Sequence, residues 1–182
     1  MGLLDPPGFR RNRHGQVWMR LGSHERSLLA ELLGQMLVLL APPHDTPTDP
    51  LAELVGIDET ATRPTDPALA RLFPDAYEDP ELADEFRRFT QRELGATKRE
   101  NLRTALATLS RPDPTKLSAA EATAWLGALN DLRLTLGARL DLTEDSAQDF
   151  LRRPDDDPSR ASYLVYDWLT YHQDRLIRAL DR

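Results

Sequence analysis

The residues able to do chemistry in this chain are four histidines, a run of arginines near the start and two mixed-charge clusters set among apolar side chains. His14, His24, His44 and His172 fall in four different segments, whereas a metal centre needs two or three ligands brought together at helix or hairpin spacing. There is no cysteine, which removes disulfides, thiolate zinc ligands and a thiol nucleophile. No Gly-x-Ser-x-Gly elbow, phosphate loop or dinucleotide fingerprint is present. Gly22-Ser23-His24 opens a predicted helix whose amides could take an anion, as many ordinary helix starts could. The acid pair Glu81/Glu85 and the run Asp155-Asp156-Asp157 read as solvated faces or helix caps. Nucleophile, base and orienter do not come together, so the expectation is no catalytic residue, no metal and no cofactor.

What remains is charge that could either pair internally or dock a partner. Arg10, Arg11 and Arg13, with Trp18 close by, could touch phosphates or an acidic protein surface. The competing reading is that these arginines pair with carboxylates of an acidic fold or guard an exposed strand edge. Glu85, Arg87 and Arg88 beside Phe86 and Phe89 make a second cluster; Asn130, Asp131 and Arg133 among the leucines of residues 125–140 make a third. If their helices pack, a bridge such as Glu85 to Arg133 or Arg88 to Asp131 could set the register, a role for buried ion pairs that is a hypothesis in any given protein. The alternative is a preformed polar groove for a partner. The interaction candidates are therefore Arg10, Arg11, Arg13, Trp18, Glu85, Arg88, Asn130, Asp131 and Arg133. His172 lies on the apolar face of the last helix and reads as a buried, hydrogen-bonded histidine.

The elements that must position these groups follow from periodicity. Val17, Met19 and Leu21 alternate with polar neighbours, and Asn12-Arg13-His14-Gly15 has turn chemistry, so residues 9–21 predict a hairpin. Ser23 is the expected N-cap of a first helix reaching residue 40, with Leu28, Leu29, Leu32, Leu33, Met36, Leu37 and Leu40 on its apolar face. Residues 42–66 form a proline-rich loop region holding a short helical piece at residues 51–55. Asp66-Pro67 and Asp79-Pro80 are N-cap-plus-proline starts, the first of a short helix over residues 68–73, the second of a long one. On the long one Leu82, Phe86 and Phe89 mark one stripe and Leu102, Leu106 and Leu109 another. Twenty residues separate Leu82 from Leu102, about 200° on one straight helix. Either the helix breaks near Gly95, with Thr97 and Glu100 as a capping box, or it is buried on two sides; one long helix with a weak point at Gly95 is expected. Ser118 with Glu121 is a capping box that starts the helix bearing Trp125, Leu129, Leu132, Leu136 and Leu140. A further short helix is expected over residues 143–151, then an acidic linker at 152–158 and a last helix with Val165, Trp168, Leu169, His172, Leu176 and Leu180 on one face.

Composition bounds the class. At 182 residues, 40% hydrophobic and 29% charged, the chain fits one mainly α-helical domain, a bundle of about five or six helices with a small N-terminal β-hairpin. Residues 1–8 are expected to be a flexible N-terminus. The formal charge is −7, split as +3 over residues 1–26 and −10 over the rest, so direct DNA binding and attraction to anionic membranes are not expected. No signal-peptide core opens the chain and its longest apolar run is far too short to span a bilayer, so a cytoplasmic place is expected. A homodimer through the leucine-rich first or last helix is an option their apolarity leaves open.

Several segments together resemble one known family. They are Asp66-Pro67-Ala68-Leu69, Arg71-Leu72-Phe73-Pro74-Asp75-Ala76-Tyr77, Glu85-Phe86-Arg87-Arg88-Phe89-Thr90, Trp125-Leu126 with Ala128-Leu129-Asn130-Asp131-Leu132-Arg133-Leu134, and Tyr166-Asp167-Trp168-Leu169. The chain is similar over nearly its whole length to an actinobacterial family of AosR-like oxidative-stress regulators, long labelled a domain of unknown function and encoded near the protease adaptor ClpS. The resemblance implies a non-enzymatic regulator that acts with a sigma factor and RNA polymerase under a cysteine-pair switch, and this chain, having no cysteine, departs from the switch. What it carries over is a protein partner. An adaptor or a small-molecule or peptide-binding protein linked to Clp proteolysis is the alternative, which would need an apolar pocket with a few convergent polar groups.

Overall fold

The computed structural model describes residues 7–42, 61–143 and 146–181. Among them are six helices and three short strands. The hairpin forms as expected, β1 Gly8–Arg11 against β2 Val17–Arg20, with Arg10 opposite Trp18 and Phe9 opposite Met19. Its turn is built by Asn12, whose Oδ1 accepts from the amides of His14 and Gln16 at 2.9 Å each, while Gly15 takes the positive φ of 76° that side chains disfavour. A third strand, β3 Thr115–Leu117, pairs antiparallel with β2. The sequence reading has no such strand, because three residues behind Pro112 and Pro114 are too few to show alternation. Phe9, Val17, Met19 and Leu117 point into the core; Arg10, Trp18 and Lys116 share a row on the other face of the sheet.

The helices are α1 Ser23–Leu39, α2 Pro67–Leu72, α3 Pro80–Leu109, α4 Ala119–Arg139, α5 Ser146–Arg152 and α6 Pro158–Leu180. Four of these helices start on a side-chain cap. Asp66, Asp79 and Asp157 each accept from amides of the first turn, and Ser118 and Glu121 form the reciprocal box. The start of α1 differs from expectation. Gly22, not Ser23, is the N-cap, and Glu25 reaches back to accept from the Gly22 amide at 2.7 Å. The helical piece expected at residues 51–55 and most of the N-terminal stretch fall outside the described residues.

α4 is the hub: it packs on α2, α3 and α6, while α1 lies on α3 and β1 on α6. Trp125 sits at the centre, fully buried, its indole donating to Thr108 Oγ1 at 2.8 Å and its ring tilted on Phe9 at 5.4 Å. Around it close Leu29, Leu33, Leu102, Leu129, Leu169 and Leu176. Arg26 ties the sheet to the helices from one edge, donating to the carbonyls of Leu21, Leu109 and Arg111 and to Asp113 and Thr115.

α3 runs unbroken through Gly95. Its second half buries Leu102, Ala105 and Leu109, but its first half turns Ala83, Arg87 and Gly95 inward. Leu82, Phe86 and Phe89, expected to mark a packed stripe, are instead exposed at 50%, 44% and 52%. The cause is Arg87. Only 4% exposed, it pairs with Asp75 and donates to the Phe73 carbonyl at 3.2 Å, so the chain after α2 is drawn onto that side of the helix. Phe73 then packs 3.7 Å from the position a Gly95 Cβ would take.

Candidate functional site

Arginines from two distant parts of the chain gather where the hairpin meets the last helix. β1 packs on α6, which places Arg10, Arg11 and Arg13 beside Arg175 and Arg178 around a cleft of about 520 Å³ floored by Phe9 and Ala179. Arg175 is held in place by a bond to the Phe9 carbonyl at 3.3 Å and by Tyr171, whose ring centre lies 5.7 Å from its guanidinium. Arg178 pairs with Asp174 on the exposed side of α6 at 2.8 Å, an exposed pair of little energetic weight. The hairpin arginines were legible in sequence; Arg175 and Arg178 were not. Their signal was a three-residue spacing on the polar side of a helix whose apolar face dominates its pattern. Trp18 does not line this cleft: it stands half-buried between Arg10 and Lys116 by strand register.

The other candidates separate. Asp131 is buried and bonds Lys98 of α3 at 2.7 Å, not Arg88; burial pushes its carboxyl above the usual range against the pull of that lysine. Arg133 turns to α6, donating to Thr170 at 2.8 Å, Tyr166 at 3.1 Å and Gln173, so the Glu85–Arg133 bridge does not form. Both expected bridges fail for the same reason: Glu85 and Arg88 are exposed on the outer side of α3, turned away from the inward Arg87. Lys98, eleven residues on, faces α4. Asn130 is half-buried. Here the charged groups beside the leucines of α4 pin neighbouring helices rather than form one groove.

His172 is buried as expected but is not hydrogen-bonded. Phe9, Trp168 and Tyr171 present their rings to it at 6.2, 4.4 and 5.3 Å, and neither ring nitrogen has a hydrogen-bond partner. Burial lowers its pKa to about 4, although Glu25, 3.8 Å from Nε2, pulls the other way. A neutral imidazole in an aromatic cage has packing value and no substrate access. Among the described residues there is no group of three acidic or histidine side chains able to hold a metal ion, and no helix long and apolar enough to cross a membrane.

No solved structure shows a significant match to this chain. Comparison with curated proteins finds relatives named oxidative stress regulator AosR in Mycobacterium bovis and in Mycobacterium tuberculosis H37Rv, each 34% identical over 97% of this chain and 84% of the relative. A Mycobacterium leprae protein bearing the AosR name is 36% identical over 86% of this chain and 79% of its own length. The family model described as a domain of unknown function, DUF2017, matches residues 6–180, and this chain belongs to that family.

Proposed function

We propose that this protein is a non-catalytic regulator in the oxidative-stress response, working in the cytoplasm by docking an acidic surface of a protein partner in the arginine cleft. The observation that carries this reading is the gathering of five arginines from two distant parts of a chain whose net charge is −7. Guanidinium groups suit planar, two-point recognition of carboxylates and are enriched where interfaces hold tightly. The regulatory role is supported by the names of the mycobacterial relatives. By family resemblance the partner is a sigma factor or RNA polymerase. With no cysteine among its 182 residues, the chain takes its signal through the partner or through its own abundance rather than through a thiol.

Affinity capture from the native host with mass spectrometry tests this. Wild type should retain transcription proteins, and the double charge reversal Arg11→Glu with Arg13→Glu should lower their recovery at least about tenfold, as loss of complementary charge at an interface does. Unchanged recovery by the variant would reject the cleft. Recovery of Clp components in place of transcription proteins would move the function to proteolysis.

A further inference from the structure

The first half of α3 carries two neighbouring exposed stripes. Leu82, Phe86 and Phe89 form an exposed apolar line, extended by Tyr77, which is half exposed and stands edge-on to Phe86 at 5.8 Å. Single exposed apolar side chains are ordinary, but a contiguous patch marks an interaction surface. The stripe beside it is Glu81, Glu85, Arg88 and Arg92, at steps of four, three and four residues and all exposed, so the four share one side of the helix. Its charge is antisymmetric: two acids, then two bases, changing sign between Glu85 and Arg88, beside Phe86.

That order is self-complementary. A second α3 laid antiparallel across a two-fold axis near Phe86 brings Leu82 of one copy toward Phe89 of the other. The same placement sets Glu85 against Arg88 and Glu81 against Arg92, in both directions at once. A parallel two-fold arrangement would put the charged stripes on opposite sides of the pair, where neither meets the other. Isologous two-fold pairing is the commonest way a single chain associates. Acids near a helix N-terminus need no partner to be favourable; exposed phenylalanines on the adjoining stripe do gain from one. We infer that this protein forms an antiparallel two-fold dimer through the exposed face of α3 around Phe86. The apolar lines of α1 and α6, by contrast, are already inside the core through Leu29, Leu33, Leu169 and Leu176. The dimer face is separate from the arginine cleft, and the inference stands without the proposed function.

Sedimentation of the full chain across a concentration range tests it. Wild type should move from the 20.6 kDa mass of one chain toward twice that value. Two charge-swap variants, Glu81→Arg with Glu85→Arg and Arg88→Glu with Arg92→Glu, should each weaken self-association at least about tenfold, since four attractive pairs become repulsive. Circular dichroism and thermal melting confirm that each variant is folded. Mixed in equal amounts, the two should recover a one-to-one heterodimer of wild-type strength, because every facing pair is again opposite in charge. Leu82→Ser with Phe89→Ser gives an uncharged check and should also remain single. A wild type of one chain mass at every concentration overturns the inference. So does a dimer indifferent to both swaps, or two weakened swap variants that fail to restore each other.

Discussion

At the level of single residues, the buried polar groups are the informative ones, because each had to find a partner or accept a cost on leaving water. His172 accepted the cost. Its folded pKa of about 4 lies below the ordinary 6.5, so the neutral form is what the fold favours. Stability from this site is complete above about pH 6.5 and declines as pH falls toward 4, by about 3 kcal/mol at most. Urea titrations at pH 7 and pH 4.5 should therefore show a larger loss for wild type than for His172→Leu, whose site has nothing to protonate. Equal losses would mean that the cage admits a charged ring. Asp131 and Lys98 obey the other rule: a buried pair is costly to break and cheap to replace. Lys98→Met should destabilise by about 3 kcal/mol, since it leaves a buried carboxylate alone, whereas adding Asp131→Leu should recover most of that. A double-mutant cycle by denaturant unfolding measures the coupling. An additive result would show that water reaches the pair.

At the level of elements, α3 carries the main lesson. Its thirty residues hold two halves with different inward faces, and Gly95 sits between them. Glycine inside a helix has a propensity deficit of about 1 kcal/mol against alanine, so there ought to be a reason for it. A Cβ there would meet Arg99 Nη1 at 3.2 Å and Phe73 at 3.7 Å. The nearer contact is the far end of a flexible side chain, which donates to the Leu40 carbonyl at 3.2 Å and can adjust. Gly95→Ala should accordingly raise stability by about 0.5 kcal/mol, part of the propensity gain being spent on moving Arg99. A thermal melt decides it, and a fall in melting temperature would show the fit around Phe73 to be tighter than these distances suggest. Gly127 differs, because its added methyl would stand 2.7 Å from Asn101 Nδ2 on the facing helix, closer than packed atoms tolerate.

At the level of the whole molecule, charge is distributed against its average. A net −7 chain presents a positive cleft where its N-terminal hairpin and C-terminal helix meet. Such a local field selects acidic partners and speeds their arrival more than it adds to affinity. If the cleft is the docking site, the association rate with the captured partner should fall as salt is raised, because the Debye length shrinks to about 8 Å at physiological ionic strength. The same rate measured for the Arg11→Glu and Arg13→Glu variant should be nearly flat with salt. A rate that is flat for wild type as well would place the contact elsewhere.

The sequence alone was enough for most of what is local, the cap of α1 at Gly22 in place of Ser23 being an exception. Caps at Asp66, Asp79, Ser118 and Asp157, the Asn12 turn, the hairpin and the apolar faces of α4 and α6 are read from neighbours a few residues apart, because hydrogen-bonded turns and helical stripes are short-range events. Tertiary packing decided what depended on which face of an element its neighbours cover. It exposed Phe86 and Phe89, sent Arg133 to α6 and Asp131 to Lys98, added β3, and carried Arg175 and Arg178 to the hairpin. A side chain's type and spacing say what it can bind; only the surfaces brought from far along the chain say what is within reach.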